Sequence, residues 1–305
     1  MAPFLLKRLL HGLAVLWVVA TLTFALLRLL PGGPFDRDRR LPPEVMANIE
    51  AKYHLNEPFF TQYARYIRGV AVGDLGPSYK YTDRTVADIV RDTLPPSVFL
   101  GVLALSLAVA VALPLGVAAA AWHDRWIDRA CTTIATLGIS LPNFTLGALL
   151  IWIFSLKLGW LQAARWGATG SAILPAITLG AMPCAQLTYL LRSSLLETLG
   201  EDFIRTARAK GVRESLVLFK HALRNSLIPV LTLLGPLFAI LVAGSFVVEY
   251  VFAIPGMGRF FITAVTDRDY PLVMGVTLVY TAILVCANLT VDILYSAVDP
   301  RVGGR

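Results

Sequence analysis

Six stretches of this chain contain no Asp, Glu, Lys or Arg: Leu9–Leu27, Thr93–Trp122, Ala130–Leu156, Trp166–Leu191, Asn225–Val248 and Tyr270–Val291. All but the first exceed 20 residues. A bilayer core of about 30 Å needs roughly 20 helical residues at 1.5 Å each, so each stretch has the length to span. Only 15% of the 305 residues are charged and 56% are hydrophobic. A soluble domain carries about 25% charged residues and just under half apolar ones. That balance excludes a disordered chain and an ordinary soluble domain. Strands of a membrane barrel would be about 10 residues long and alternate apolar with polar, whereas these runs are apolar all round. The fold class is therefore an all-α integral membrane protein with six transmembrane helices, near 9–30, 98–121, 132–156, 173–191, 230–251 and 272–295.

The first run follows Lys7 and Arg8 like a secretory leader. Leader cores are only 7–15 residues long, and this one reads on for about 22. It reads as a retained anchor spanning 1–30. Orientation follows the basic residues, because Lys and Arg concentrate on the cytoplasmic side of short loops. With both termini inside, the inner pieces hold 13 Lys and Arg, and the two short outer loops hold only Arg165, Arg259 and Arg268. The long segment 31–92 holds nine basic and nine acidic residues and is neutral. The formal charge of +7 is thus an inner-face bias, not a nucleic-acid footprint.

The extracytoplasmic segment 31–93 reads as a small helical cap. Pro42-Pro43 before Glu44 suits a helix start, and Val45, Ile49 and Tyr53 recur at helical spacing. Phe59, Tyr63 and Tyr66 suggest a second short helix. A third, from Asp83 to Asp92, is expected to stop at Pro95-Pro96. Cys131, Cys184 and Cys286 fall in or beside spans and read as small buried hydrophobes rather than disulfide partners.

No Gly-Lys dipeptide occurs, so a Walker A phosphate loop is impossible. His-Glu-x-x-His and Gly-x-Ser-x-Gly are also missing, and the four histidines are scattered. The chain is expected to be neither an enzyme nor a metal protein, and any ATP energy must come from another chain.

The most informative stretch is 193–229, between spans four and five. A mere connector would be unpatterned. Here Phe203, Ile204, Ala207 and Ala209 follow a helical pattern that ends at Gly211, a natural helix stop. Leu216, Val217, Phe219, Leu223 and Leu227 follow a second helical stripe up to Pro229. Helix–Gly–helix with basic residues on its wet side fits either a groove in a partner protein or the surface of an anionic bilayer.

Arg-Thr-Ala-Arg-Ala-Lys-Gly (205–211), with His-Ala-Leu-Arg-Asn-Ser-Leu-Ile-Pro (221–229), resembles the loop of permeases in ATP-binding-cassette importers, in particular the peptide/nickel branch. Pro-Gly-Met-Gly-Arg (255–259), Arg-Asp-Tyr-Pro (268–271), and Asn288, Asp292, Tyr295 and Asp299-Pro300-Arg301 agree with that branch. The segments 41–56 and 73–78 resemble its oligopeptide members. The superfamily loop pattern opens on Glu-Ala-Ala. Here Arg205 stands at the acidic position and the terminal proline is displaced to Pro229.

The resemblance implies a type I importer transmembrane domain over 94–296 and a cytoplasmic tail over 297–305, in the inner membrane of the cell. It implies a second homologous permease, two ATPase subunits that bind ATP and magnesium, and an extracytoplasmic peptide-binding protein. The cargo it implies is an oligopeptide, with a dipeptide or nickel complex as the alternative. The ATPase-coupling loop would comprise Phe203, Ile204, Arg205, Thr206, Ala207, Arg208, Ala209, Lys210, Gly211, Leu216 and His221. Within it, Ala207 and Gly211 would be small so that the ATPase can approach closely, and Arg205, Arg208 and Lys210 would pair with its acidic groups. Asn143, Glu249, Asn288 and Asp292 are polar at membrane depth and are expected in a permease contact or along the translocation path, with Glu249 alternatively snorkelling to the surface. Asn288 and Asp292, four apart, are expected to share a helix face. An ion-driven secondary transporter would show inverted repeats and a titratable midplane pair, and neither is visible.

Overall fold

The computed structural model describes residues 2–30, 35, 43–163, 166–243 and 246–298. Helices joined by short turns and loops make up the described chain, with one isolated bridge between Pro77 and Thr85. In order, the elements are α1 (Ala2–Leu29), α2 (Pro43–Lys52), α3 (Phe59–Ala71), α4 (Val86–Ala121), α5 (Trp126–Ser140), α6 (Asn143–Leu150), α7 (Ile173–Leu199), α8 (Asp202–Ala209), α9 (Glu214–Leu216), α10 (Leu223–Ala243), α11 (Phe246–Val251), α12 (Met257–Thr266) and α13 (Tyr270–Val298). Among the described residues, five helices are long and apolar enough to cross a membrane: α1, α4, α7, the run through α9 and α10, and α13. The pair α5 and α6 makes a sixth span if its two bent halves are counted as one.

The third span departs from the continuous helix expected over 132–156. α5 and the helix beginning at Asn143 meet at a 106° bend. Pro142 disfavours helical backbone at the preceding residue. Leu141 is accordingly extended (φ −96°, ψ 125°), and the Pro142 carbonyl starts a new helix by accepting from Thr145 and Leu146. The winding widens to π-type over Ile151–Lys157. Pro95-Pro96 behaves in the opposite way. α4 runs straight through it for 36 residues, about 54 Å, instead of stopping. Its start is fixed by a capping box, in which Thr85 Oγ1 accepts from the Asp88 amide and Asp88 accepts from the Thr85 amide. On either side of the prolines, Ile89, Thr93, Ser97 and Leu100 are all buried, so packing holds the helix where propensity alone would break it.

Two other boundaries also move. α10 carries the second loop helix through Pro229 and Pro236 into the bilayer without a stop at Pro229, and within the expected 230–251 the described helix runs to Ala243 and again over Phe246–Val251. α7 outruns the expected 173–191 and reaches Leu199. The side chains of Val45 and Ile49 and residues 299–301 lie outside the described residues.

The centre of the bundle is the pair α4 and α7. It is built on small residues. Ala104, Ala108, Ala112, Gly116 and Ala120 recur every four positions along α4, and all are buried. Small residues let backbones approach where lipid gives no hydrophobic drive to associate. A Cβ built on Gly180 would lie 2.7 Å from the Ala104 carbonyl oxygen. Gly180→Val is therefore expected to destabilise the chain by about 1–3 kcal/mol. The check is the melting temperature in detergent, and an unchanged value would mean that the helices have room to part.

Three buried clusters stack along the bundle. One joins Leu187, Leu191 and Leu195 of α7 to Ile204, Val217 and Ala222, another gathers Leu100, Leu174, Leu179 and Phe252, and the last holds Val86, Ile89, Met257 and Leu272. α1 stands at the side, packed on α13 and α3, with Leu9, Leu13, Trp17, Leu22 and Leu26 exposed. Gly12 permits that contact, since a Cβ there would sit 2.5 Å from Val285 Cγ1. The small helices α2 and α3 cap α1. The Phe24 ring lies between Phe59, Tyr63 and Tyr66 at centroid distances of 5.3–5.5 Å. The cap is clasped to the α12–α13 turn by the buried pair Ser78 and Asp269.

Candidate functional site

The loop between α7 and α10 is organised into the short helices α8 and α9. α8 is a two-turn amphipathic helix whose first turn carries Asp202 at the positive end of its dipole. It ends in a Schellman motif: the Gly211 amide donates to the Arg208 carbonyl (2.9 Å) and the Val212 amide to the Ala207 carbonyl (3.2 Å). Gly211 supplies the left-handed turn, with φ +76°. Nothing lies within 4 Å of a Cβ built there, so the requirement for glycine in this fold is conformational.

Ile204 is fully buried and Ala207 is 9% exposed, both against the cluster that contains Leu195, Val217 and Ala222. The expected use of Ala207 as a point of close approach for a partner is thus corrected: its small side chain lets α8 lie on its own chain. The opposite face, Phe203, Arg205, Thr206, Arg208, Ala209 and Lys210, is exposed. Two of its cations are already engaged. Arg208 grips Glu214 through both Nε (3.1 Å) and Nη2 (2.6 Å), which ties α8 to α9, and Arg205 meets Asp202 at 3.3 Å. The Glu214 carboxylate raises the Arg208 pKa above the ordinary guanidinium value, so the clamp stays charged. Leu216 and Phe219 are exposed, and His221 is half-buried on the π-wound stretch Val217–Ala222.

The two helices that bear the loop are locked together at its base. Buried Ser226 of α10 donates to the Ser194 carbonyl of α7 (3.2 Å) and bonds Thr198 Oγ1 (2.9 Å). Beside it, Arg192 of α7 holds Asp128 of α5 in a bidentate pair, Nε and Nη2 each at 2.7 Å. Asp128 is 4% exposed and also accepts from the Asp124 amide (3.0 Å). His123, Asp124 and Asp128 bring three ligand atoms within 4.8 Å of one another, but Arg192 occupies both oxygens of Asp128. The sequence reading missed this pair. Its signal was an acid and an arginine, each at the edge of a charge-free run.

The polar residues at membrane depth do not form one site. Asn143 is half-buried at the start of α6, just past the break in the third span. Asn288 points at α10, where a Cβ on Gly235 would come within 2.8 Å of its Oδ1. Asp292 pairs with Arg8 of α1 at 3.1 Å. Asn288 and Asp292 therefore serve two different helix contacts within this chain. Glu249 is fully buried, which corrects the snorkelling alternative. Its Oε1 accepts from Ser97 of α4 (2.6 Å) and its Oε2 from the Gly258 amide (3.0 Å), and Ser97 Oγ in turn accepts from the Met257 amide (2.9 Å). The carboxyl group thus fastens the first turn of α12 to α4. Gly256 has no room for a side chain there, since a Cβ would run into the Glu249 carboxyl group.

A bundle of apolar spanning helices, with a rigid helical wedge braced on two of them, has the build of a membrane permease subunit. Residues 112–304 match the family described as the binding-protein-dependent transport system inner membrane component, and residues 1–101 match the N-terminal region that accompanies it. The chain belongs to that family. It is 43% identical to the oligopeptide transport system permease protein OppB of Haemophilus influenzae over 305 residues, covering 99% of each chain. It is 42% identical to the dipeptide transport system permease protein DppB of Bacillus subtilis over 302 residues, covering 99% of this chain and 98% of the other. It is 40% identical to the glutathione transport system permease protein GsiC of Salmonella paratyphi A, over 99% of each chain. Among solved structures, the inward-facing methionine ABC transporter MetNI shares the fold, with a TM-score of 0.53 at 19% identity, covering 69% of this chain and 96% of that one. An amino acid ABC transporter with histidines gives a TM-score of 0.51 at 17% identity, covering 70% and 94%. The expected all-α, type I importer architecture is borne out.

Proposed function

We propose that this chain forms, with a second homologous permease, the path by which oligopeptides enter the cytoplasm, driven by ATP and magnesium bound on two ATPase subunits. An extracytoplasmic peptide-binding protein delivers the cargo. Both termini and α8 face the cytoplasm, in keeping with the distribution of Lys and Arg. The observation that carries the reading is the build of α8. Its apolar residues Ile204 and Ala207 are buried in one cluster with Leu187, Leu191 and Leu195 of α7 and with Val217 and Ala222 at the head of the span that continues as α10, and its outer face is exposed and basic, so a force on that face bears on two spanning segments. Coupling needs a two-state element that both sites bias, and α8 is joined to the bundle firmly enough to serve as one end of it. The chain's own part is positional: it holds no phosphate loop and contributes no catalytic group.

Oligopeptides are the cargo favoured here because permeases from oligopeptide systems match end to end. The dipeptide relative, at 42% identity, supports a second reading in which shorter peptides are carried. The test is purification of the tagged chain from its native membrane. Two ATPases and a second permease are expected to follow it, and ATP hydrolysis in proteoliposomes is expected to rise with a peptide-loaded binding protein. A chain that purifies alone, or hydrolysis indifferent to peptide, overturns the proposal. A response to dipeptides with none to tetrapeptides selects the second reading.

A further inference from the structure

α3 carries apolar surface that no described residue covers. None of its residues is buried, and Phe60 is 80% exposed. The helix has three flanks. Phe59, Tyr63 and Tyr66 meet the Phe24 ring of α1. Phe60, Ala64, Ile67 and Ala71, at i, i+4, i+7 and i+11, form a second apolar strip beside the first. Ile67 is half-buried and the other three are exposed. The remaining flank carries Thr61, Arg65 and Arg68, all exposed, and Phe60, Thr61, Ala64, Arg65 and Arg68 border one shallow hollow. Arg65 is held by Glu57 at 2.7 Å, and Glu57 also meets His54 at 3.1 Å. Arg68 has no carboxylate partner among the described residues. The acid that follows it, Asp74, accepts instead from the Gly76 amide (2.9 Å).

What surrounds the bare strip follows from the level at which α1 holds the helix. Tyr63 Oη and Thr21 Oγ1 share a hydrogen bond of 2.8 Å. The charge-free run of α1 ends at Leu27, and Arg28 is the first charge beyond it. Phe24 stands four residues short of Arg28 and Thr21 seven, so the two contacts lie about 6 and 10 Å inside the apolar run. At the same level Leu22 and Leu26 of α1 are 57% and 62% exposed, as side chains of a spanning helix are when they face lipid. An amphipathic helix that lies in a bilayer interface sinks its apolar side about 5–10 Å below the headgroups and keeps its cations on the other side. α3 matches that form in depth, in the bare aromatic ring and in the cation left over for a phosphate.

We propose that α3 is an interfacial helix, with Phe60, Ala64, Ile67 and Ala71 resting among the acyl chains of the leaflet at the far end of α1 and Arg68 on the phosphates of that leaflet. The cap is then fastened to the bilayer as well as to the bundle. The proposal goes beyond the peptide-import reading and needs only that α1 crosses the membrane, so failure of the cargo assignment leaves it standing.

The test uses the whole permease–ATPase complex in nanodiscs of phosphatidylcholine and phosphatidylglycerol, with Cys131, Cys184 and Cys286 replaced by alanine. Single cysteines at Phe60→Cys, Thr61→Cys, Ala64→Cys and Arg68→Cys are labelled with a nitrobenzoxadiazole fluorophore. Positions 60 and 61 are neighbours about 100° apart on the helix, so the contrast between them reads the direction it faces, whatever the label itself prefers. Lipid bearing a nitroxide at acyl carbon 5 is expected to quench positions 60 and 64 at least 3-fold more strongly than 61 and 68. Iodide in the buffer is expected to show the reverse order. Equal quenching of all four positions by iodide would leave the strip in water and overturn the proposal. So would positions 60 and 64 that neither quencher reaches, which would mean that another protein chain covers the strip.

Discussion

Replacing Gly211 by valine is expected to abolish the stimulation of ATP hydrolysis and uptake by peptide, while insertion of the chain into the membrane stays normal. The reason lies in the backbone. At φ +76° a β-branched residue clashes with its own chain, at a cost of about 1–3 kcal/mol. Relief comes by unwinding the Schellman turn, which frees the carbonyls of Ala207 and Arg208 and loosens the joint between α8 and α9 that the Arg208–Glu214 clamp shares. The wedge would survive as a helix but lose its rigid setting. Because a Cβ at 211 meets no atom of this chain, the substitution series is informative. Asparagine tolerates the left-handed region and should retain most of the coupling, alanine should be intermediate, and valine should fail. Uptake and peptide-stimulated hydrolysis of the reconstituted complex measure all three. If asparagine fails as badly as valine, a partner packs directly against position 211, as the sequence first suggested, and the backbone argument is wrong.

Glu249→Leu should have the larger effect on stability. The substitution keeps a buried side chain but leaves the Gly258 amide without an acceptor and Ser97 without its shorter hydrogen bond. A buried polar group left unsatisfied costs about 1–3 kcal/mol, so the combined loss is on the order of 3 kcal/mol. The damage should be local first: the N-terminal turn of α12 should release from α4, exposing the segment 255–266 to protease before the rest of the bundle opens. Glu249→Gln, whose amide oxygen can still accept one bond, should lose about half as much. Gly256→Ala attacks the same contact from the other side and should resemble the leucine variant. An unchanged melting temperature together with an unchanged proteolysis pattern would show that α12 is held by other contacts.

Much of this architecture was legible in the sequence because lipid imposes so few solutions. The charge-free runs located the spans, and the amphipathic stripe through Ile204 and Ala207, stopped at Gly211, located the wedge. Proline was the weaker guide. Pro142 broke its helix through a right angle, while Pro95-Pro96 and Pro229 broke nothing. The difference is not intrinsic to the residue. It depends on whether the flanking face is packed, as at Ile89, Thr93 and Ser97, and that is a property of the folded bundle. The direction a side chain faces was equally hidden. Ala207 reads as a small residue open to a partner until Leu195, Val217 and Ala222 are placed under it, and the alternative that Glu249 snorkels to the surface falls only when α12 arrives with its amide. Asn288 and Asp292, four apart and expected to share a helix face, meet α10 and α1 respectively, neighbours the sequence does not name. The every-fourth small-residue pattern of α4 was readable, and it would have identified α4 as the central helix of the bundle.

The bidentate pair at the base of the loop has a consequence in time. Asp128 is made 64 residues before Arg192, an interval of roughly 3–13 s at 5–20 residues per second. Throughout that interval the carboxylate lacks the bidentate partner that holds it in the folded chain. The clamp that fixes α5 to α7 closes only once Arg192 has been made, so the joint between the third and fourth spans is set after both exist.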